Sequence, residues 1–165
     1  MISPGSTAPG FDLPASGSGL DRLGLDELTR SGPALLAFFK TSCPVLCKLS
    51  FPLWGELANR YGHVVNVAAV SQDPAAAARP WLDELGFEAP ALDESDGYGV
   101  SAAYGIETVP TLVLVDKAGE VVATSQGWDR ERANAWDADL AELSGLPSPG
   151  PLSTVGDGRP AFRPG

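Results

Sequence analysis

The chain has 165 residues, 44% of them hydrophobic, a length and composition suited to one domain that can bury its own core. Its 21 acidic residues against 11 basic ones give a formal charge of −10, which would repel phosphate backbones and anionic lipid and argues against nucleic-acid and membrane partners. The N-terminal region pairs no basic segment with an apolar run, and no stretch approaches the ~20 apolar residues of a membrane span, so the sequence reads as cytoplasmic; a chain already relieved of an export signal would read the same way.

Gly and Pro punctuate the chain into alternating elements, with no internal repeat. Residues 33–39, PALLAFF, form a continuous apolar run, as expected of a strand buried on both faces. Cys47, Phe51, Trp54, Leu57, Ala58 and Tyr61 then recur at three- and four-residue steps and predict a helix stopped by Gly62. Residues 64–70 read as a second buried strand. Asp73-Pro74 predicts an N-cap with proline at the first helical position, opening a helix that ends at Gly86. A short helix around Val100–Tyr104 follows, closed by Gly105. Residues 111–115 and 120–125 flank Asp116-Lys117-Ala118-Gly119, a hairpin signal, and Ala133, Trp136, Leu140 and Leu143 carry a last helix. This order implies an α/β domain, a central mixed sheet with helices on both faces, over residues 1–143 with its core at about 8–143. Residues 144–165, rich in Pro and Gly, are expected to be a tail that is disordered or lies on the surface.

The only two cysteines, Cys43 and Cys47, fall at the first strand-to-helix junction, where sheets of this kind usually place their chemistry. Two are too few for a disulfide scaffold, which leaves a redox pair, a metal clip, or two small buried hydrophobes. Pro44 suits a first helical turn, so Cys43 is expected at the helix N-terminus, where free N–H groups and the macrodipole favour a thiolate, the reactive form. Lys40 and Lys48 would add to this if their ammonium groups point inward. Cys47, one turn on, would face the core and suits a resolving role. Residues four apart on a helix have Cα atoms roughly 6 Å apart, inside the ~4.4–6.8 Å window of a disulfide.

From Ala8 to Leu143 the sequence resembles thioredoxin-fold proteins of the TlpA/ResA type, within the AhpC/TSA-like superfamily. The resemblance rests on GFDLPASGSG and LDELTRSGPALLAFFK before the Cys-Pro pair, on residues 66–73 (NVAAVSQD), on residues 104–111 (YGIETVPT) and on residues 114–119 (LVDKAG). It implies a thioredoxin-like fold and a thiol–disulfide oxidoreductase in which Cys43 and Cys47 are catalytic. The family's cysteines stand two residues apart and these stand three apart; Phe38 upstream and Lys48 and Pro52 downstream keep the family spacing, so the extra residue lies between them. The matching proline of the family is cis and lies against the cysteines, which implies that Pro110 does the same. Val109 would then offer its backbone to an extended substrate by strand addition, and Pro44, Val45 and Leu46 would join Val109 and Pro110 in the substrate-binding surface. Ser42 and Ala37 depart from thioredoxin, which has tryptophan and a buried aspartate there. Glu107 is a candidate for proton transfer, set against the ordinary reading of a solvated surface carboxylate.

The implied partners are a disulfide-containing or dithiol protein and a recycling thiol reductant, acting on a monomer that needs no cofactor and no metal. Three alternatives stay open. A peroxiredoxin shares the fold but has threonine three residues before its cysteine, where this chain has Lys40. Copper chaperones of the Sco type share the three-residue spacer and suit Cu(I) through soft thiolates, with His63 the sole histidine available as a further ligand. A thioredoxin-like binding module without redox turnover is the third.

Overall fold

The computed structural model describes residues 1–43 and 45–164. It opens with a hairpin the sequence patterning did not anticipate, β1 (Asp12–Ser16) and β2 (Arg22–Gly24), followed by α1 (Leu25–Ser31). The Glu27 carboxylate accepts the Gly24 N–H at 2.8 Å, satisfying a donor at the start of α1. Next come β3 (Ala34–Phe39), α2 (Leu46–Tyr61), β4 (Asn66–Ser71), α3 (Ala75–Glu84), β5 (Ala91–Asp93) and α4 (Gly99–Ala103). The hairpin of β6 (Thr111–Val115) and β7 (Val121–Gln126) leads through β8 (Trp128–Asp129) to α5 (Arg130–Ser144), and β9 (Phe162–Arg163) lies near the end of the chain.

Seven strands form one sheet in the order β2-β1-β5-β4-β3-β6-β7. β3 pairs parallel with β4 and antiparallel with β6, so the expected mixed sheet is present. All six residues of β3 are buried, which is why its sequence is a run and not an alternation. Alternate side chains serve opposite faces: Phe39 packs on Phe51 of α2 and Trp81 of α3, whereas Phe38 meets Tyr104, the residue that closes α4. Helices therefore cover both faces. Among the described residues no helix is long and apolar enough to cross a membrane.

One expectation needs correcting, and another is narrowed to one of its alternatives. Asp73 does not cap α3: the helix begins at Ala75 with Pro74 in the cap position, and the Ala75 N–H donates instead to the Asp93 carboxylate at 2.8 Å. A carboxylate from the neighbouring strand has taken the capping work, which frees Asp73 for another partner. Of the two alternatives for the tail, the 144–164 segment takes the surface one, and it is ordered there. Leu152 and Ser153 are buried, Ser153 exchanges hydrogen bonds with the Asn134 side chain at 2.9 and 3.0 Å, and β9 pairs with β8. The segment is docked along α2 and α5.

Candidate active site: the Cys43 and Cys47 thiols

β3 delivers the chain to the carboxyl edge of the sheet, and the next residues turn at once: the Cys43 N–H donates to the Lys40 carbonyl at 3.1 Å. The turn is pinned from the side by Asp73, whose carboxylate accepts the Thr41 N–H at 2.6 Å and the Thr41 hydroxyl at 2.9 Å. Asp73 is thus a support of the cysteine loop that sequence reasoning missed, since the two residues are 32 positions apart and no local pattern links them. The same bonds turn the Thr41 hydroxyl to Asp73.

α2 begins at Leu46, three residues beyond Cys43 and later than expected, and the Leu49 N–H donates to the Val45 carbonyl at 2.9 Å. Cys43 nonetheless sits at the helix mouth, because the Cys47 N–H donates to Cys43 Sγ at 3.4 Å. The sulfur occupies the place that a capping oxygen usually fills. On its other side Cys43 Sγ donates to the Val109 carbonyl at 3.7 Å, and the Val109–Pro110 peptide bond is cis. Cys43 therefore bridges the start of α2 and the loop before β6.

The two thiols are free and unlike. Cys43 is half-buried, while Cys47 is wholly out of solvent. Burial pushes the Cys47 thiol far up, the adjacent Cys43 sulfur adds to the rise, and the Lys40 backbone and ammonium offset only part of it. Cys47 is held as a neutral thiol facing the sulfur of Cys43.

Around them the expected contact surface is only partly exposed. Val45 is 46% exposed and Leu46 half-buried, whereas Val109 and Pro110 are buried and present backbone. Pro44 lies outside the described residues. Lys40 and Lys48 are both exposed. Glu107 is exposed too, and the polar neighbours acting on Cys47 are Cys43 and Lys40, so the structure does not bring Glu107 into the site. His63 follows α2 at its far end, with about 21 Å of helical rise between Cys47 and Tyr61, and is not placed with the cysteines. Among the described residues no cluster of three or more His, Cys, Asp or Glu side chains could hold a metal ion.

The model of the AhpC/TSA family matches residues 4–124. The thiol-disulfide oxidoreductase ResA of Halalkalibacterium halodurans is 30% identical over 105 residues, 62% of this chain and 58% of that relative, so the match spans less than two thirds of the relative's length. Among solved structures, a protein provisionally assigned as thiol:disulfide interchange protein DsbE of Chlorobium tepidum superposes with a TM-score of 0.77 at 24% identity, covering 88% of this chain and all, 100%, of that one. The peroxidoxin BcpB of Mycobacterium tuberculosis superposes with a TM-score of 0.72 at 20% identity, covering 90% of this chain and 100% of that one. At such identities these two structures share the thioredoxin-like fold.

Proposed function

The chain belongs to the AhpC/TSA family, and from that premise we propose that it is a thiol–disulfide oxidoreductase working through Cys43 and Cys47. One observation carries the proposal: a half-exposed sulfur receives a helix N–H at 3.4 Å while a second, fully buried thiol lies beside it. A donor aimed at sulfur stabilises negative charge there, and the thiolate is the nucleophile in disulfide exchange.

In the reducing direction Cys43 Sγ attacks one sulfur of a substrate disulfide. The new S–S bond joins Cys43 to the substrate, the old one breaks, and the departing sulfur leaves as a thiolate that takes up a proton. Cys47 then loses its proton and attacks Cys43 Sγ, forming the Cys43–Cys47 bond and releasing the second substrate thiol. The substrate gains two electrons and the pair loses two. Every step is reversible, so the potential of the partner sets the direction. The high proton affinity of Cys47 keeps it from competing as the first nucleophile and makes it wait for the mixed disulfide. The protein disulfide or dithiol that serves as substrate would lie across Val45 and Leu46 with its backbone against Val109.

The experiment is a pair of variants. Cys43→Ser should abolish exchange with a model disulfide, and Cys47→Ser should accumulate a mixed disulfide visible by intact mass. Wild-type exchange rates in both variants would remove the proposal.

A further inference from the structure

The C-terminal segment runs antiparallel to α2 from its far end to its cysteine end. The Arg60 guanidinium donates to the Gly150 carbonyl at 2.8 Å near the end of α2, and the Arg159 Nε donates to the Leu49 carbonyl at 3.1 Å in its first turn. Ten residues of tail thus cover about 16 Å of helix. Several bonds hold this path. The Trp128 Nε1 donates to the Pro160 carbonyl at 2.7 Å, Arg130 donates to the Ser153 hydroxyl at 3.2 Å and to the Arg159 carbonyl, and Asp157 pairs with Arg159 at 3.4 Å. The segment lies beyond residue 124, outside the span that the family model matches.

Its course leaves an open groove of about 580 Å³ between α2 and the tail, walled by Val45, Leu49 and Pro160 and carrying Arg159 and Arg163. The groove begins two residues along from Cys43. In a chain with 11 basic residues against 21 acidic ones, two arginines converge here, and Arg163 is exposed. Among the described residues Arg163 makes no ion pair. Arg159 is already engaged by the Leu49 carbonyl and Asp157, so Arg163 is the guanidinium free to bind in fork geometry, and an apolar floor with that group at its margin fits an extended peptide that carries a carboxylate.

We propose that this groove docks an acidic, extended segment of the disulfide partner, on the side of the partner's cysteine that lies over Val45. The inference rests on the exchange function proposed above and names the chemistry of the polypeptide it serves. The tail is then a specificity element: it leaves the sulfur chemistry alone and selects which cysteine is brought to it.

The test uses the full reduced protein at 0.15 M salt and two peptides, each with one cysteine activated as a thiopyridyl disulfide, flanked by glutamates in one and lysines in the other. Arg163→Glu is compared with Arg30→Glu, an exposed position on α1 that changes the total charge equally. Reversing the groove charge should slow the glutamate peptide about fivefold, leave neutral hydroxyethyl disulfide unchanged, and speed the lysine peptide, whereas Arg30→Glu should shift each by less than about twofold. Equal effects of the two variants, or none from either, would overturn the inference. Cysteine-to-serine versions of both peptides, followed by fluorescence anisotropy, report the groove without exchange. If hydroxyethyl disulfide fails to react with Cys43, the redox reading falls, and the shift in Kd between wild type and Arg163→Glu still decides the groove.

Discussion

Cys47 keeps its proton well above the usual thiol range because burial penalises the thiolate more than Lys40 supports it. Linkage turns that into a stability effect with a definite sign. The folded pKa is raised, so between the unfolded and folded values the native state binds the extra proton, and stability present below about pH 9 is lost as pH rises beyond it. The reduced wild type should therefore lose about 1.4 kcal/mol per pH unit relative to Cys47→Ala above that pH. The comparison is needed because burial also pushes Tyr61 up to about 12, which adds an alkaline loss common to both proteins. Urea midpoints measured from pH 8 to 10.5 read the difference, and parallel curves would show that Cys47 is not sealed. A second residue-scale expectation concerns Asp73. Its carboxylate holds two donors of Thr41, so Asp73→Ala should cost about 1–2 kcal/mol and slow the reaction of Cys43 with a neutral disulfide by loosening its turn. Thr41→Val, which removes only the hydroxyl bond, should produce a smaller loss of the same sign in both assays.

At the scale of elements, α2 and α5 are joined through one buried carboxylate. Asp137 on α5 is 1% exposed and accepts from Arg60 at 2.8 Å, from the Tyr61 hydroxyl at 2.9 Å and from the Ser148 hydroxyl of the tail. Burial by itself would raise its pKa; the bonds from Ser148, Arg60 and Tyr61 together outweigh that and hold it below the ordinary carboxylate range. Its contribution is thus complete above about pH 4 and is lost as pH falls through the lowered folded value. Asp137→Ala should cost about 3 kcal/mol, because it strands a buried phenol and a mostly buried guanidinium, and should expose the tail to limited proteolysis after Gly145. An intact tail with an unchanged urea midpoint would contradict this. The same elements show what patterning can reveal. The strand at 34–39 and the helix over 46–61 were legible because a fully buried run and a 3–4 periodicity are local signals. The cysteine loop was legible because both sulfurs lie within one turn. β1 was not, since its five residues are only partly buried and include Pro14. The tail was not either, because its docking is built from polar groups such as Asn134, Ser153 and Arg159, with Leu152 its one buried apolar side chain among the described residues. Hydrophobic pattern is blind to attachments of that kind.

At the scale of the whole molecule the charge of −10 sets the field through which any partner approaches. A sphere of about 20 Å radius with that charge repels a unit anion by about 1.2 kcal/mol at 0.01 M salt and by about 0.6 kcal/mol at 0.15 M, once screening is included. Reaction of Cys43 with a dianionic aromatic disulfide should accordingly speed up several-fold between those salt concentrations, while reaction with neutral dipyridyl disulfide stays flat. The long-range field and the groove beside Val45 have opposite signs, and their ranges differ. At 0.15 M the Debye length is ~8 Å, so Arg163, the groove guanidinium unpaired among the described residues, acts on a docked segment while most of the acidic surface is screened from it. At 0.01 M the net charge reaches the approaching anion first. Arg163→Glu should therefore steepen the salt dependence of the dianion's rate, because it removes the local attraction and deepens the distant repulsion together. A slope that steepens equally in Arg163→Glu and in Arg30→Glu would mean that the sulfur feels the molecule's total charge alone, and that Arg163 lies too far from the approach path to guide it.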